Sequence, residues 1–134
     1  MAAIVDSSIW VDCLRTGSSE TLRRQTKTIL ASHDCFLCEP VAFELLRAVP
    51  KRDRARTEAL IATVPILPTP AELWSAAQVL GQKCIDKGFL PPAIDLLIAQ
   101  VCLYHSVPLI TFDMHFRQIA EVSLLKADLL SRSK

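Results

Sequence analysis

Glycine is scarce in this chain, with three in 134 residues, and aromatic side chains make up only 6%. That scarcity excludes collagen-like repeats and flexible glycine-rich linkers, and it favours short connections of defined shape. No apolar run reaches the roughly 18 residues a spanning helix needs, so a transmembrane segment is excluded. Met1 to Asp6 has no basic stretch ahead of its short apolar run, so it does not read as a secretory signal, and the expected compartment is the cytoplasm. Charge of one sign is missing too. The formal net charge is +1, so any contact with nucleic acid must come from a local patch. A disulfide framework is equally absent, because the five cysteines are odd in number and irregular in spacing. They read as small buried hydrophobes. Cys35 and Cys38 have metal-type spacing, but inside an apolar strand an offset of three places them on opposite faces.

What the chain does have is apolar bulk, at 51% of residues. A chain of this size suits one α/β domain over residues 1–134. Its apolar surplus points to a surface covered by a partner. Strand-like runs are expected at Ala2 to Val5, Cys35 to Cys38, Pro108 to Thr111 and Val122 to Leu125, with a minimal one at Ile66 and Leu67. Between them, caps and stops predict helices from Ser7 or Ser8 to about Leu14, from Ser19 to Ser32, and from Pro40 to Ala48. Further helices are expected over Lys51 to Val64, with a stripe at Ala55, Ala59, Leu60 and Thr63, and over Ala71 to Lys87, facing inward through Leu73, Ala77, Leu80 and Cys84. Another runs from Ile94 to about His105, apolar nearly all round, and a short one follows Asp113. Strands alternating with helices imply a mainly parallel sheet with helices on both faces.

Two strands run directly into an acid, Asp6 and Asp113, and in a parallel sheet both fall on the carboxyl edge where ligands bind. Each can equally be a helix N-cap. Asp95 opens a helix among Ile94, Leu96, Leu97 and Ile98, and Glu44 sits among Phe43, Leu45 and Leu46. An acid in apolar surroundings is costly unless it is paired or binds metal. Arg47 offers Glu44 a surface partner.

These residues, in this order, resemble the PIN-domain nucleases, in particular the VapC toxins of toxin–antitoxin pairs. The resemblance is carried by Asp6-Ser7-Ser8-Ile9-Trp10 with Asp12, by Glu44 after Pro40, by Asp95 with Ile98 and Ala99, and by Leu109-Ile110-Thr111 with Asp113 and Phe116. It covers nearly the whole chain and implies a PIN-like three-layer fold. It also implies an endoribonuclease that hydrolyses RNA phosphodiester bonds with Mg²⁺ or Mn²⁺, acting as the toxin of a type II pair. Asp6, Glu44, Asp95 and Asp113 are then the catalytic, metal-holding acids, with Ser8 and Thr111 orienting carboxylates. Four carboxylates need a counter-charge, and hard divalent ions supply it while activating water and stabilising the leaving oxygen. Many relatives carry Asp or Asn shortly after the Asp113 position; here Met114-His115-Phe116 follows, and His115 is either a replacement or a cap.

The resemblance also implies a VapB-type antitoxin, expected against the helices carrying Ile9 to Leu14 and Phe43 to Leu46. A homodimer is expected from the apolar girth of the Ile94–His105 helix. Two basic groups, Arg23-Arg24-Lys27 and Lys51-Arg52-Arg54-Arg56, are either phosphate contacts or solvated helix faces. Trp10 and Phe112 either stack on a base or pack in the core. Two other readings compete: a catalytically silent PIN-like scaffold, and an aspartate-based Mg²⁺-dependent phosphatase or phosphotransferase. The second wants an acid where Ser8 stands and a lysine soon after Thr111, and the chain has neither.

Overall fold

The computed structural model describes residues 1–134. In chain order the elements are β1 (Ala2–Val5), α1 (Ser7–Leu14), α2 (Glu20–Ala31), β2 (Asp34–Phe36), α3 (Glu39–Ala48), α4 (Arg54–Ile61), α5 (Leu73–Asp86), α6 (Ala93–His105), β3 (Leu109–Thr111), α7 (His115–Glu121) and β4 (Ala127–Leu129). A single turn of 3-10 helix, Lys51–Asp53, leads into α4. The four strands form one sheet in the order β2-β1-β3-β4, with every pairing parallel. Ala3, Ile4 and Val5 alternate between faces yet are all fully buried, as are Leu109 and Thr111. Both faces of the central strands are therefore covered by helices, and the unbroken apolar runs in the sequence follow from that.

Local chemistry sets the element ends. Ser19 accepts the Leu22 amide at 3.1 Å and caps α2. Pro40 sits in the first turn of α3, where a missing amide costs nothing. Gly88, at φ +92°, closes α5, and the Phe89 amide returns to the Cys84 carbonyl. Ser106 does the same for α6 at φ +55°, a conformation that a residue with a β-carbon adopts at a cost. Gly81 marks a close helix approach, since a β-carbon there would lie 3.2 Å from Leu96 Cδ1.

Three expectations need correction. The last strand is Ala127–Leu129, not Val122 to Leu125. Ser123 turns the chain instead, donating to the Ile119 carbonyl at 2.7 Å and accepting the Leu125 amide at 3.2 Å, and Leu124 is left 91% exposed. The face that α4 buries is Thr57 and Ile61, with Leu60 packed partly against the core and Ala55, Ala59 and Thr63 in solvent, because Ile61 and Leu60 bury far more apolar area than the two alanines. The apolar girth of α6 is used inside the chain: Leu96, Leu97, Ile98, Ala99, Val101 and Cys102 are buried where α6 meets α3, α5 and α7. That helix therefore gives no argument for a second copy. Exposed apolar side chains lie instead at Trp74 and Ile85, which share one face of α5, and at Leu90. No helix is long and apolar enough to cross a membrane.

Candidate metal centre

The sheet order places the site. The chain leaves β1 to form β2 on one side and returns across β1 to form β3 on the other, so the switch in direction falls between β1 and β3. Register Ile4–Leu109 and Val5–Ile110, with the Asp6 amide donating to the Ile110 carbonyl at 2.9 Å, brings the ends of β1 and β3 side by side. Asp6 and Asp113 leave the sheet there, at the kind of crevice where open parallel sheets hold ligands.

Asp6 occupies the N-cap position of α1 but makes no capping hydrogen bond. Its Oδ2 accepts from Ser8 Oγ at 2.8 Å and from Thr111 Oγ1 at 2.7 Å. Each hydroxyl accepts in turn from the chain leaving β3: Ser8 from the Phe112 amide at 3.2 Å, Thr111 from the Asp113 amide at 2.9 Å. The two hydroxyls relay backbone polarity to one buried carboxylate, which fixes its rotamer. Burial nonetheless pushes the Asp6 carboxyl above its ordinary value, and the bonds from Thr111 and Ser8 only partly oppose it.

Glu44, on α3, accepts from Ser7 Oγ at 2.9 Å, and no ion pair with Arg47 forms. Partial burial raises its carboxyl, and the negative charges of Asp6 and Asp113 push the same way. Asp95, in the first turn of α6, is 6% exposed. Desolvation and then the charges of Asp113, Asp6 and Glu44 push its carboxyl up to about 7, so all four acids share one electrostatic neighbourhood. Asp95 Oδ2 is buried and has no hydrogen-bond partner. Asp113 does act as a local cap, accepting the His115 amide at 2.9 Å on Oδ1.

The tightest set of donors is Asp95, Asp113 and His115, whose ligand atoms all lie within 4.8 Å of one another. The sequence pattern left His115 open as a cap or a replacement acid; the structure sets its ring against both acids. Asp12, which entered the motif only as a marker, lies near the site without joining its donor set. It is buried and paired with Arg132 Nε at 2.6 Å, and the Arg132 guanidinium also lies 4.9 Å above the Phe112 ring. Nothing in the spacing of residues 12 and 132 signals that contact. Trp10 and Phe112 are buried, with Trp10 Nε1 donating to the Val5 carbonyl at 3.0 Å, so neither ring is free to stack on a base. Of the basic groups, Arg24 pairs with Glu20, Arg52 and Arg56 with Asp53, and Arg23 with the Thr16 carbonyl. Between α1 and α3 runs a cleft of about 500 Å³ lined by Val11, Leu14, Leu45 and Val49, with Arg15, Arg52 and Glu44 at its edges.

A short parallel sheet with an acidic crevice at its switch point defines an α/β class that holds its ligand at the strand ends, and the family comparison narrows it: the PIN domain model matches residues 3–122, and the chain belongs to the PIN domain family. In three dimensions it is similar to VapBC2 of Rickettsia felis bound to a promoter DNA fragment, with a TM-score of 0.73 at 16% identity over 95% of this chain and 97% of that one. It is similar also to VapBC-1 of nontypeable Haemophilus influenzae, with a TM-score of 0.71 at 17% identity, covering 96% and 98% of the two chains. A third likeness is to Mycobacterium tuberculosis VapC20, a sarcin–ricin-loop-cleaving toxin, with a TM-score of 0.63 at 14% identity over 90% and 95%. No curated protein matches the chain in sequence. The VapC-type architecture and the α/β class are thus those expected from the motifs.

Proposed function

We propose that this chain is a divalent-metal-dependent endoribonuclease and the toxin of a toxin–antitoxin pair. The observation that carries this reading is Asp95 Oδ2, a buried carboxylate oxygen without a hydrogen-bond partner, grouped with Asp113 and His115 at the switch point of the sheet. An uncompensated buried acid persists where a ligand completes it. Carboxylate oxygens suit Mg²⁺ or Mn²⁺, so the donor set fits the ion that the family implies. Asp95 and Asp113 would hold it, with Asp6 and Glu44 close enough to share its charge. Bound there, such an ion supplies counter-charge and lowers the pKa of an attacking water. Ser8 and Thr111 keep the Asp6 carboxylate in one orientation, and Ser7 does so for Glu44.

The apolar cleft between α1 and α3 suits an amphipathic segment of an antitoxin that folds as it binds. Glu44 on its rim offers an arginine of that segment a bidentate partner. A homodimer would use the apolar face of α5 at Trp74 and Ile85. These assignments are tested by incubating the purified chain with single-stranded RNA in EDTA, Mg²⁺ or Mn²⁺, beside Asp6→Asn and Asp113→Asn. Cleavage only with metal, lost in both variants, is expected. Metal-independent cleavage, or full cleavage by both variants, would overturn the site. Co-expression with the neighbouring reading frame, scored by growth and pull-down, tests the toxin role; unimpaired growth from this chain alone, with no adjacent product bound, would refute it.

A further inference from the structure

His115 was the departure from the acid pattern, and its geometry gives it a task. Its Nδ1 lies 3.2 Å from Asp113 Oδ1 and 3.5 Å from Asp95 Oδ2. The second contact is within ion-pair range yet forms no hydrogen bond, so Asp95 Oδ2 has no hydrogen-bond partner although the Asp95 side chain is 8% exposed. Adjacent ligands on an octahedral ion with bonds of about 2.1 Å sit about 3 Å apart, close to the 3.2 and 3.5 Å that separate His115 Nδ1 from the two acids. The ring is also placed with care. The His115 backbone amide donates to Asp113 Oδ1 at 2.9 Å, which fixes where α7 begins, and the next residue, Phe116, is fully buried and anchors the helix start. Side-chain exposure of 60% leaves the far edge of the imidazole in solvent, where Nε2 can carry the proton.

We infer that His115 Nδ1 is a direct ligand of the ion held by Asp95 and Asp113, and that this nitrogen makes the site prefer Mn²⁺ over Mg²⁺. The inference rests on the metal reading above and adds the identity of the ion. Mg²⁺ takes oxygen donors and keeps its waters, so it gains little from an imidazole, whereas a first-row transition ion accepts nitrogen readily. The neutral ring serves as a ligand and also relieves a crowded acidic site of one negative charge that an aspartate in its place would add. The other two imidazoles are engaged elsewhere, His33 Nδ1 at the Ile29 carbonyl and His105 Nε2 at the Pro68 carbonyl.

The test uses the full chain with Mn²⁺ and Mg²⁺ as probes. Calorimetric titration gives both affinities for wild type, His115→Ala and His115→Asp. Pulsed electron paramagnetic resonance of the Mn²⁺ form detects a directly bound ¹⁴N nucleus. Expected are nitrogen coupling in the wild type that disappears in His115→Ala, and a loss of Mn²⁺ affinity of about tenfold or more, with Mg²⁺ affinity changed by less than about threefold. His115→Asp should shift the preference back towards Mg²⁺. Mn²⁺ binding at the acids without nitrogen coupling, and with equal affinity in His115→Ala, would overturn the role of His115 and leave the metal site standing. Failure of the wild type to bind either ion at millimolar concentration would overturn the metal reading itself, and this inference with it.

Discussion

Replacing Asp95 by asparagine should make the metal-free protein more stable, by an amount that grows with pH. The carboxyl is pushed up to about 7 from an ordinary value of 3.8. Its ionised form is thus disfavoured in the folded state, the reverse of a paired carboxylate. The penalty is absent below the unfolded value, builds as pH rises from about 4 to 7, and is complete above it. Three pKa steps correspond to about 4 kcal/mol at pH 8, and to less than half of that at pH 5. Asparagine has nearly the same shape, carries no charge, and sacrifices no bond at Oδ2, which makes none. For a domain of this size, unfolding temperature moves about 4 °C per kcal/mol, so the variant should gain about 15 °C at pH 8 and about 7 °C at pH 5. The assay is thermal unfolding of both proteins in EDTA from pH 4 to 9. A pH-independent difference, or a variant less stable at pH 8, would refute the electrostatic account of Asp95. Added Mn²⁺ should then stabilise the wild type and not the variant, since ligation acts only on the assembled site.

Thr111→Val removes the hydroxyl that Asp6, Ser8 and the Asp113 amide share; RNA cleavage should fall and stability drop by about 1–3 kcal/mol, with Thr111→Ser recovering most of both. Arg132→Ala deprives buried Asp12 of its cation and should cost about 1–2 kcal/mol in chemical denaturation; no change would mean that water serves Asp12 as well. Ser106→Gly relieves the left-handed residue after α6 and should raise stability by about 0.5–1 kcal/mol, and a loss would contradict the strain assigned there. Gly88→Ala should do the opposite after α5, by about 1 kcal/mol.

Much of the architecture was legible because single residues punctuate it. Ser19, Pro40 and Gly88 mark element ends by local chemistry that no distant contact overrides. The strand–acid junctions at Asp6 and Asp113 were equally local, and so was the inward face of α5. What escaped depends on packing. Val122 to Leu125 is apolar enough for a strand, yet Ser123 has a helix carbonyl within reach and turns the chain before β4 can start. The girth of α6 looked like a surplus only because a sequence does not say how many helices will surround it. Within the site, Glu44 next to Arg47 suggested a pair, whereas Ser7, 37 positions away, is its actual partner. His115 differs from a simple cap only through where Asp95 lies, and that is a property of the α6–α7 contact.

The β1–β3 pairing has a consequence for synthesis. The acidic crevice needs residue 6 from the first strand, residue 95 from α6 and residue 113 beyond the third strand, and Thr111 reaches Asp6 across 105 positions. A nascent chain that reaches only to the end of α3 carries Asp6 and Glu44 alone, half of the crevice, and lacks the strand that pairs with the second edge of β1. A product ending before β3 lacks both Thr111 and Asp113, so the residues of the crevice are all present only in a chain that also carries the strand completing the middle of the sheet.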